Sequence, residues 1–255
     1  MTTPHRTVAR VLSSPIDVID WDTALSRVAE WADRRESRYV CFCNVHSVVT
    51  ADSDLVFSQV IARSDMALPD GAPVAWMLRK QGFAGQERIN GPDFMWRYLA
   101  QASERQESVY LYGSSARTVE TLAKKLRVAF PGLVIAGYSC PPYRALTLEE
   151  DRDIIDKINA SGAQTLWVSL GCPKQEGWMA SHRGEIRAVM LGVGAAFNYH
   201  SGQIKRPPQW MQRYGLEWLG RLAANPILLL RRYLSTNTWF VLAAAAQLWR
   251  ARPSR

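Results

Sequence analysis

Ser108-Val-Tyr-Leu-Tyr-Gly113-Ser-Ser-Ala116 is the stretch on which the reading of the fold turns. Its first five residues form a short, mainly β-branched and aromatic run, the pattern of a buried strand, and the chain then passes through one glycine into a serine-led segment that opens a helix. The helix is expected to run to about Phe130, where Pro131-Gly132 breaks it before another strand, Leu133 to Tyr138. A strand that hands over directly to a helix and then to a second strand is the βαβ unit of a parallel sheet.

The same alternation extends both ways. Upstream, Ala24, Val28, Trp31 and Ala32 recur with helical spacing after Asp22-Thr23, which can serve as an N-cap; Arg38 to Asn44 reads as a buried strand ending in a polar residue, and Met66 to Gly71 as a short strand and loop. Downstream come a helix from about Thr147 to Ala160, a strand Thr165 to Leu170, a loop Gly171 to Glu176, a helix, and a strand Ala188 to Gly194. The fold class is α/β: a mainly parallel, Rossmann-like sheet with helices on both faces. The first dozen residues carry no pattern and are expected to form a mobile lead-in. No internal repeat or low-complexity segment is present.

In open sheets of this kind ligands gather at the carboxyl ends of the strands. Three strand-end segments are therefore candidates. Pro69-Asp70-Gly71 offers one carboxylate beside a glycine that permits close backbone approach, although Asp-Gly is also a common turn pair. Tyr112-Gly113-Ser-Ser-Ala116 has the geometry that holds phosphate on a helix N-terminus, but with one glycine it is equally a serine-capped turn and is neither a P-loop nor a dinucleotide fingerprint. Gly171-Cys-Pro-Lys-Gln-Glu-Gly-Trp178 gathers Lys174, Gln175 and Glu176, with helix capping as the alternative to ligand binding. His46, His182 and His200 lie in unrelated contexts without metal-ligand spacing, so neither a bound metal nor another cofactor is expected.

Charge divides the chain. Residues 205–255 hold nine Lys or Arg and one acid, Glu217, and so account for the whole net charge of +8, while the rest of the 255-residue chain is balanced. The composition, 47% hydrophobic and 21% charged, is that of a folded globular protein and excludes a disordered chain. We therefore divide the chain into a catalytic core, 1–204, and a basic, aromatic-rich helical appendage, 205–255. After Pro207-Pro208, the residues Met211, Tyr214, Trp218 and Leu222 mark one helical face while Arg213, Glu217 and Arg221 share another; Asn225-Pro226 ends that helix and a second starts at Ile227. The clean apolar run Trp239 to Ala246 is eight residues, against the roughly 20 that a bilayer span needs, so contact with a membrane would be peripheral. The four cysteines lack paired metal spacing and are expected to be reduced thiols in a cytoplasmic protein. A basic tail with Trp210, Trp218, Trp239, Phe240 and Trp249 also suits a nucleic-acid-binding protein, though that reading leaves the polar strand ends unexplained. A nucleotide-dependent oxidoreductase would need the three-glycine fingerprint, which is absent.

The motifs in order resemble the WecG/TagA/CpsF family, glycosyltransferase family 26. They are Cys43-Asn44-Val-His, Leu68-Pro-Asp70-Gly71, Glu87-Arg88-Ile-Asn-Gly91-Pro-Asp93, Tyr110-Leu-Tyr-Gly113, Gly171-Cys-Pro-Lys-Gln175-Glu176, Gly192-Val-Gly194-Ala-Ala-Phe197, Lys205-Arg206-Pro-Pro and Leu216-Glu217-Trp218-Leu-Gly-Arg221-Leu. The resemblance implies a metal-independent inverting transferase. Its donor would be a UDP-sugar carrying N-acetylmannosamine, its uronic acid or glucose, and its acceptor a polyprenyl-diphosphate-linked sugar used in cell-surface polysaccharide synthesis. On that pattern Asp70 matches the catalytic base, Asn44 and Gln175 line the sugar and acceptor pocket, Arg88 lies near the reaction centre, and Gly113 belongs to a ligand-side turn. Arg221 and Arg231, with Arg232, would close over the UDP diphosphate from an appendage that also docks on the anionic inner face of the plasma membrane. Nucleic acid is not among the expected partners, and a homo-oligomer is compatible with the pattern. Two positions depart from it: Phe42 replaces a threonine common two residues before the asparagine, and Leu228 stands where a further arginine is usual.

Overall fold

The computed structural model describes residues 6–251 apart from 214, 215 and 225; the side chains of 213, 221, 223, 224, 226–229 and 231–233 also lie outside that description. In chain order the elements are β1 (Val8–Val11), β2 (Ser14–Asp17), α1 (Trp21–Asp33), β3 (Arg38–Cys43), α2 (Val45–Ser53), α3 (Leu55–Ala62), β4 (Met66–Pro69), α4 (Ala72–Lys80), α5 (Gly91–Glu104) and β5 (Ser108–Gly113). They continue with α6 (Ala116–Ala129), β6 (Val134–Ser139), α7 (Leu148–Ala160), β7 (Thr165–Ser169), α8 (Lys174–Ser181), β8 (Val189–Gly192), α9 (Ala196–Ser201), α10 (Gln209–Arg213), α11 (Glu217–Ala224) and α12 (Pro226–Arg250).

Six strands form one parallel sheet in the order β4-β3-β8-β7-β5-β6. Most of its side chains are apolar on both sides because both faces are covered. Val40, Phe42, Leu68, Leu111, Trp167 and Leu191 point into a core closed by α1, α5 and α6. Their sequence neighbours Tyr39, Cys41, Ala67, Tyr112, Val168 and Met190 belong to the opposite core, with residues of α2, α4, α7 and α8. This is the alternation that the pleat imposes. Two carboxylates buried between elements are paired: Glu107 accepts from Tyr98 Oη, Thr165 Oγ1 and Arg105, and Asp65 from Arg38, Arg183 and the Tyr39 amide.

From residue 6 onward, where the described residues begin, the expected lead-in is ordered structure. Val8–Val11 and Ser14–Asp17 pair as an antiparallel hairpin. Buried Asp17 fixes it, accepting two hydrogen bonds from Arg6 and one of 2.6 Å from the Ala67 amide at the sheet edge. The cap of α1 is Asp20 rather than Asp22-Thr23, with Asp20 Oδ1 accepting from the Thr23 amide at 2.7 Å. Helix α8 begins at Lys174, inside the expected loop.

The tail differs more. Two short helices, α10 and α11, replace the single helix expected between Pro208 and Asn225. Glu217 is not on a solvent-facing stripe but 4% exposed. Phe240, expected among the exposed aromatics, is also 4% exposed and packs with Ala244 in the core that covers α2 and the β1–β2 hairpin. Gln247 ties α12 to that hairpin, donating to the Arg10 carbonyl and accepting from the Leu12 amide. Phe240→Ala should therefore destabilise the whole chain by about 3 kcal/mol in urea-induced unfolding, the usual cost of a phenylalanine-sized cavity. An unchanged unfolding midpoint would mean that α12 does not dock on the core.

Candidate active site

Strand ends β3, β4, β7 and β8 open onto one cleft of about 940 Å³, bounded on its far side by α11 and α12. Its position follows from the sheet order: the chain leaves β3 outward to β4, whereas β7 and β8 return between β3 and β5, so neighbouring loops diverge there.

Asp70 follows the last residue of β4. Its amide donates to the Cys43 carbonyl at 3.0 Å, which docks the loop after β4 on the end of β3. Gly71 makes this approach possible, since a Cβ there would lie 3.3 Å from Asn44 Cα. Asn44 caps α2 through Oδ1, which accepts from the Ser47 amide, and its Nδ2 is directed at Asp70 Oδ2, 3.4 Å away. Arg88 closes the other side. Its Nε donates to the Asp70 carbonyl at 2.5 Å, one terminal nitrogen donates to Glu217 Oε2 at 2.5 Å, and that nitrogen lies 3.9 Å from Asp70 Oδ1. An amide nitrogen and a guanidinium thus stand beside one carboxylate, the kind of group that can act as a general base.

Gln175 lies in the first turn of α8 and is 4% exposed. Its Oε1 accepts from the Gly171 amide, and its Nε2 donates to the Gly192 carbonyl at 2.8 Å and to Glu176 Oε1 at 3.0 Å. Glu176 is 1% exposed. Burial pushes its carboxyl up to about 7, against the hydrogen bonds from Gln175, its own backbone and Cys172. Burial likewise raises the Cys41 and Cys43 thiols well above their ordinary value, which makes them packing groups rather than nucleophiles.

Of the residues read from sequence, Asn44, Asp70, Arg88 and Gln175 bound this single cleft. Gly113 does not. It takes φ +106°, and a Cβ there would come within 2.4 Å of the Ser169 carbonyl oxygen, so the glycine serves close packing of β5 on β7 while Ser115 caps α6. The side chains of Arg221, Arg231 and Arg232 lie outside the described residues. Sequence reasoning missed Glu217, Trp76, Arg79 and Asn237 as cleft residues; Glu217, the one acid of the tail, was the visible signal. Among the described residues, no three of His, Cys, Asp and Glu gather as a metal ion would require. No described helix is long and apolar enough to cross a membrane.

A covered parallel sheet with a carboxylate, an amide and a guanidinium around one strand-end cleft defines an α/β protein built to hold a polar ligand at the edge of its sheet. More particularly, the chain belongs to the glycosyl transferase WecG/TagA/CpsF family, whose model matches residues 9–254. It is 30% identical over 223 residues to an N-acetylglucosaminyldiphosphoundecaprenol N-acetyl-β-D-mannosaminyltransferase of Bacillus spizizenii (strain W23), a match covering 84% of each chain. It is 31% identical over 198 residues to the Bacillus subtilis (strain 168) protein of the same name, covering 77% of this chain and 75% of that one.

The raised Glu176 pKa has a consequence for stability. The ordinary value is 4.5 and the folded value about 7, so the folded state holds this proton more tightly than the unfolded state. Its contribution is fully present below about pH 4.5 and is lost as pH rises to about 7, by on the order of 3 kcal/mol. Urea midpoints of the wild type and Glu176→Gln should diverge across that window, the wild type losing ground as pH rises, and run parallel above it. Parallel curves throughout would contradict the raised pKa.

Proposed function

We propose that the protein is an inverting glycosyltransferase that moves a sugar from a UDP-sugar onto a polyprenyl-diphosphate-linked sugar in cell-surface polysaccharide synthesis. The names of the two Bacillus relatives favour N-acetylmannosamine as the sugar transferred and diphosphoundecaprenol-linked N-acetylglucosamine as the acceptor. The observation that carries the reading is the place of Asp70 at a strand end, docked on β3 and flanked by Asn44 and Arg88.

Asp70 takes the proton of the acceptor hydroxyl as its oxygen attacks the anomeric carbon. The new C–O bond forms on the face opposite the breaking bond to UDP, and UDP leaves with the electron pair. Asn44 orients the carboxylate. Arg88 holds the loop of the base and supplies positive charge near the reaction centre. Arg221, Arg231 and Arg232 neutralise the departing diphosphate without a metal, as guanidinium groups do through paired hydrogen bonds.

Residues 205–255 then act as the membrane-facing appendage of a core formed by 1–204. Leu234, Leu242 and Trp249 are each more than 60% exposed along α12 and recur at intervals of eight and seven residues, roughly two turns, beside a basic C-terminal segment. An enzyme whose acceptor is lipid-linked gains from lying on the anionic inner face of the plasma membrane, where each basic residue contributes on the order of 1 kcal/mol.

Transfer is tested with UDP-N-acetylmannosamine and a short-chain polyprenyl-diphosphate N-acetylglucosamine in the presence of EDTA, with UDP release as the readout. The wild type should turn over, and Asp70→Asn should fold and bind UDP yet turn over at least roughly 10²-fold more slowly. An equally active Asp70→Asn would remove Asp70 as base. Wild-type activity that needs added magnesium or manganese would contradict the metal-free account.

A further inference from the structure

The cleft has a second carboxyl for which the proposed transfer has no role. Glu176 bounds it together with Phe42, Asn44, Cys172, Gln175 and Gly192, yet only 1% of the residue is exposed. One carboxyl oxygen, Oε1, accepts from Gln175 Nε2 at 3.0 Å. The other, Oε2, is buried and meets no hydrogen-bond partner of good geometry; besides Gln175, only the Cys172 thiol, a weak donor, reaches this carboxyl from a side chain. The titratable groups facing it are thiols, Cys41 and Cys43 of β3 and Cys172 just ahead of α8. Of the other elements packed on α8, β8 and α3 carry no titratable residue, while α7 brings Asp151, which accepts from Trp178 Nε1 at 3.2 Å. His46 and Asp70 border the same cleft from α2 and the end of β4. No cation is among the groups that set its protonation.

A carboxylate buried with an unpartnered oxygen and no cation is disfavoured, so below about pH 7 the group is the neutral acid. A neutral carboxyl has one O–H to donate. Because Oε1 already accepts from an amide, that hydroxyl resides on Oε2. Gln175 has no donor to offer a ligand: its amide nitrogen donates to Glu176 and to the Gly192 carbonyl. Gln175 thus fixes the orientation of its neighbour, and Glu176 is left with the donor.

We infer that Glu176 is a sugar-binding residue, donating a hydrogen bond from Oε2 to an uncharged oxygen, hydroxyl or acetamido carbonyl, of a pyranose bound in the cleft, while Gln175 positions it. The inference rests on the transferase reading above. It assigns the cleft two carboxyls with opposite duties: Asp70 acts ionised, as a base, and Glu176 acts protonated, as a donor, a division that differing environments can impose on chemically similar groups. Both the donor and the acceptor carry such a sugar, and the test distinguishes them.

Calorimetric titrations with UDP, UDP-N-acetylmannosamine and a short-chain polyprenyl-diphosphate N-acetylglucosamine, below and above about pH 7, test it on the wild type, Glu176→Gln and Glu176→Leu. For one sugar ligand the wild type should bind roughly tenfold more tightly on the acid side, the size expected of one hydrogen bond made by a buried group, while UDP alone shows no such change. Glu176→Gln, whose amide also donates, should keep the acid-side affinity at both pH values; Glu176→Leu should lose roughly tenfold on the acid side. The ligand that shows this behaviour identifies the sugar contacted. Sugar ligands that bind with the wild-type pH dependence in Glu176→Gln overturn the inference alone, and this holds even if the leucine variant fails to fold. Failure of the wild type to bind any of the three ligands overturns the transferase reading and the inference with it.

Discussion

Arg88 is the residue on which the site depends. Its guanidinium holds the main chain of the loop carrying Asp70 with one nitrogen and the carboxylate of Glu217, from the basic tail, with another. The side chains of the Arg88–Glu217 pair are only 19% and 6% exposed, so it is a partly desolvated ion pair rather than a surface contact, and losing either partner would leave a charge with little solvent to compensate it. A second clamp lies nearby. Arg206 donates to both carboxylate oxygens of Asp93 in the first turn of α5, and Asn90 donates to one of them. Burial alone would raise the Asp93 pKa, but these hydrogen bonds outweigh it and hold the group below its usual range. Two motif arginines therefore fasten the start of the C-terminal segment to the core on either side of the turn from Arg88 to α5.

Elements whose signal is local were legible from sequence. Strands β5, β6 and β7 fall within a residue of their expected limits, because an apolar run bounded by glycine or proline needs no distant partner to be recognised. The β1–β2 hairpin was not legible: its strands are four residues each, and its stability comes from Asp17 meeting Arg6 and the amide of Ala67, fifty residues away. Glu217 misled for the same reason. Periodicity put it on a charged helical face, and only the folded chain brings it to Arg88, 129 residues earlier. Phe240 sits in a tail whose composition suggests a surface, and its burial follows from the docking of α12 over α2. The cleft was read in part. Asn44, Asp70 and Gln175 stand at strand ends, where topology predicts ligands, and Arg88 entered through family resemblance. Glu176 read equally as a ligand-side group and as a helix cap, and its burial was not visible because burial is a property of the fold.

The proposed transferase chemistry and the proposed membrane face meet in α12. Its inner side places Thr236, Asn237, Phe240, Val241 and Ala244 along the cleft, whereas Leu234, Leu242 and Trp249 stay exposed. One helix thus walls the site and presents an apolar surface, an arrangement suited to an acceptor whose sugar must reach a strand end while its lipid remains in a bilayer. The nucleic-acid reading of the tail accounts for none of these cleft contacts.

Arg88 joins the loop of Asp70, the proposed base, to the C-terminal segment, so the two are expected to act as a unit. A double-mutant cycle over Arg88→Ala and Glu217→Ala, measured as kcat/KM for sugar transfer, tests it most directly. The account predicts that each single change lowers the rate and that the double variant falls no further than the worse single, a coupling of the size typical for residues sharing one network. Effects that simply add, or a Glu217→Ala variant as active as the wild type, would contradict it.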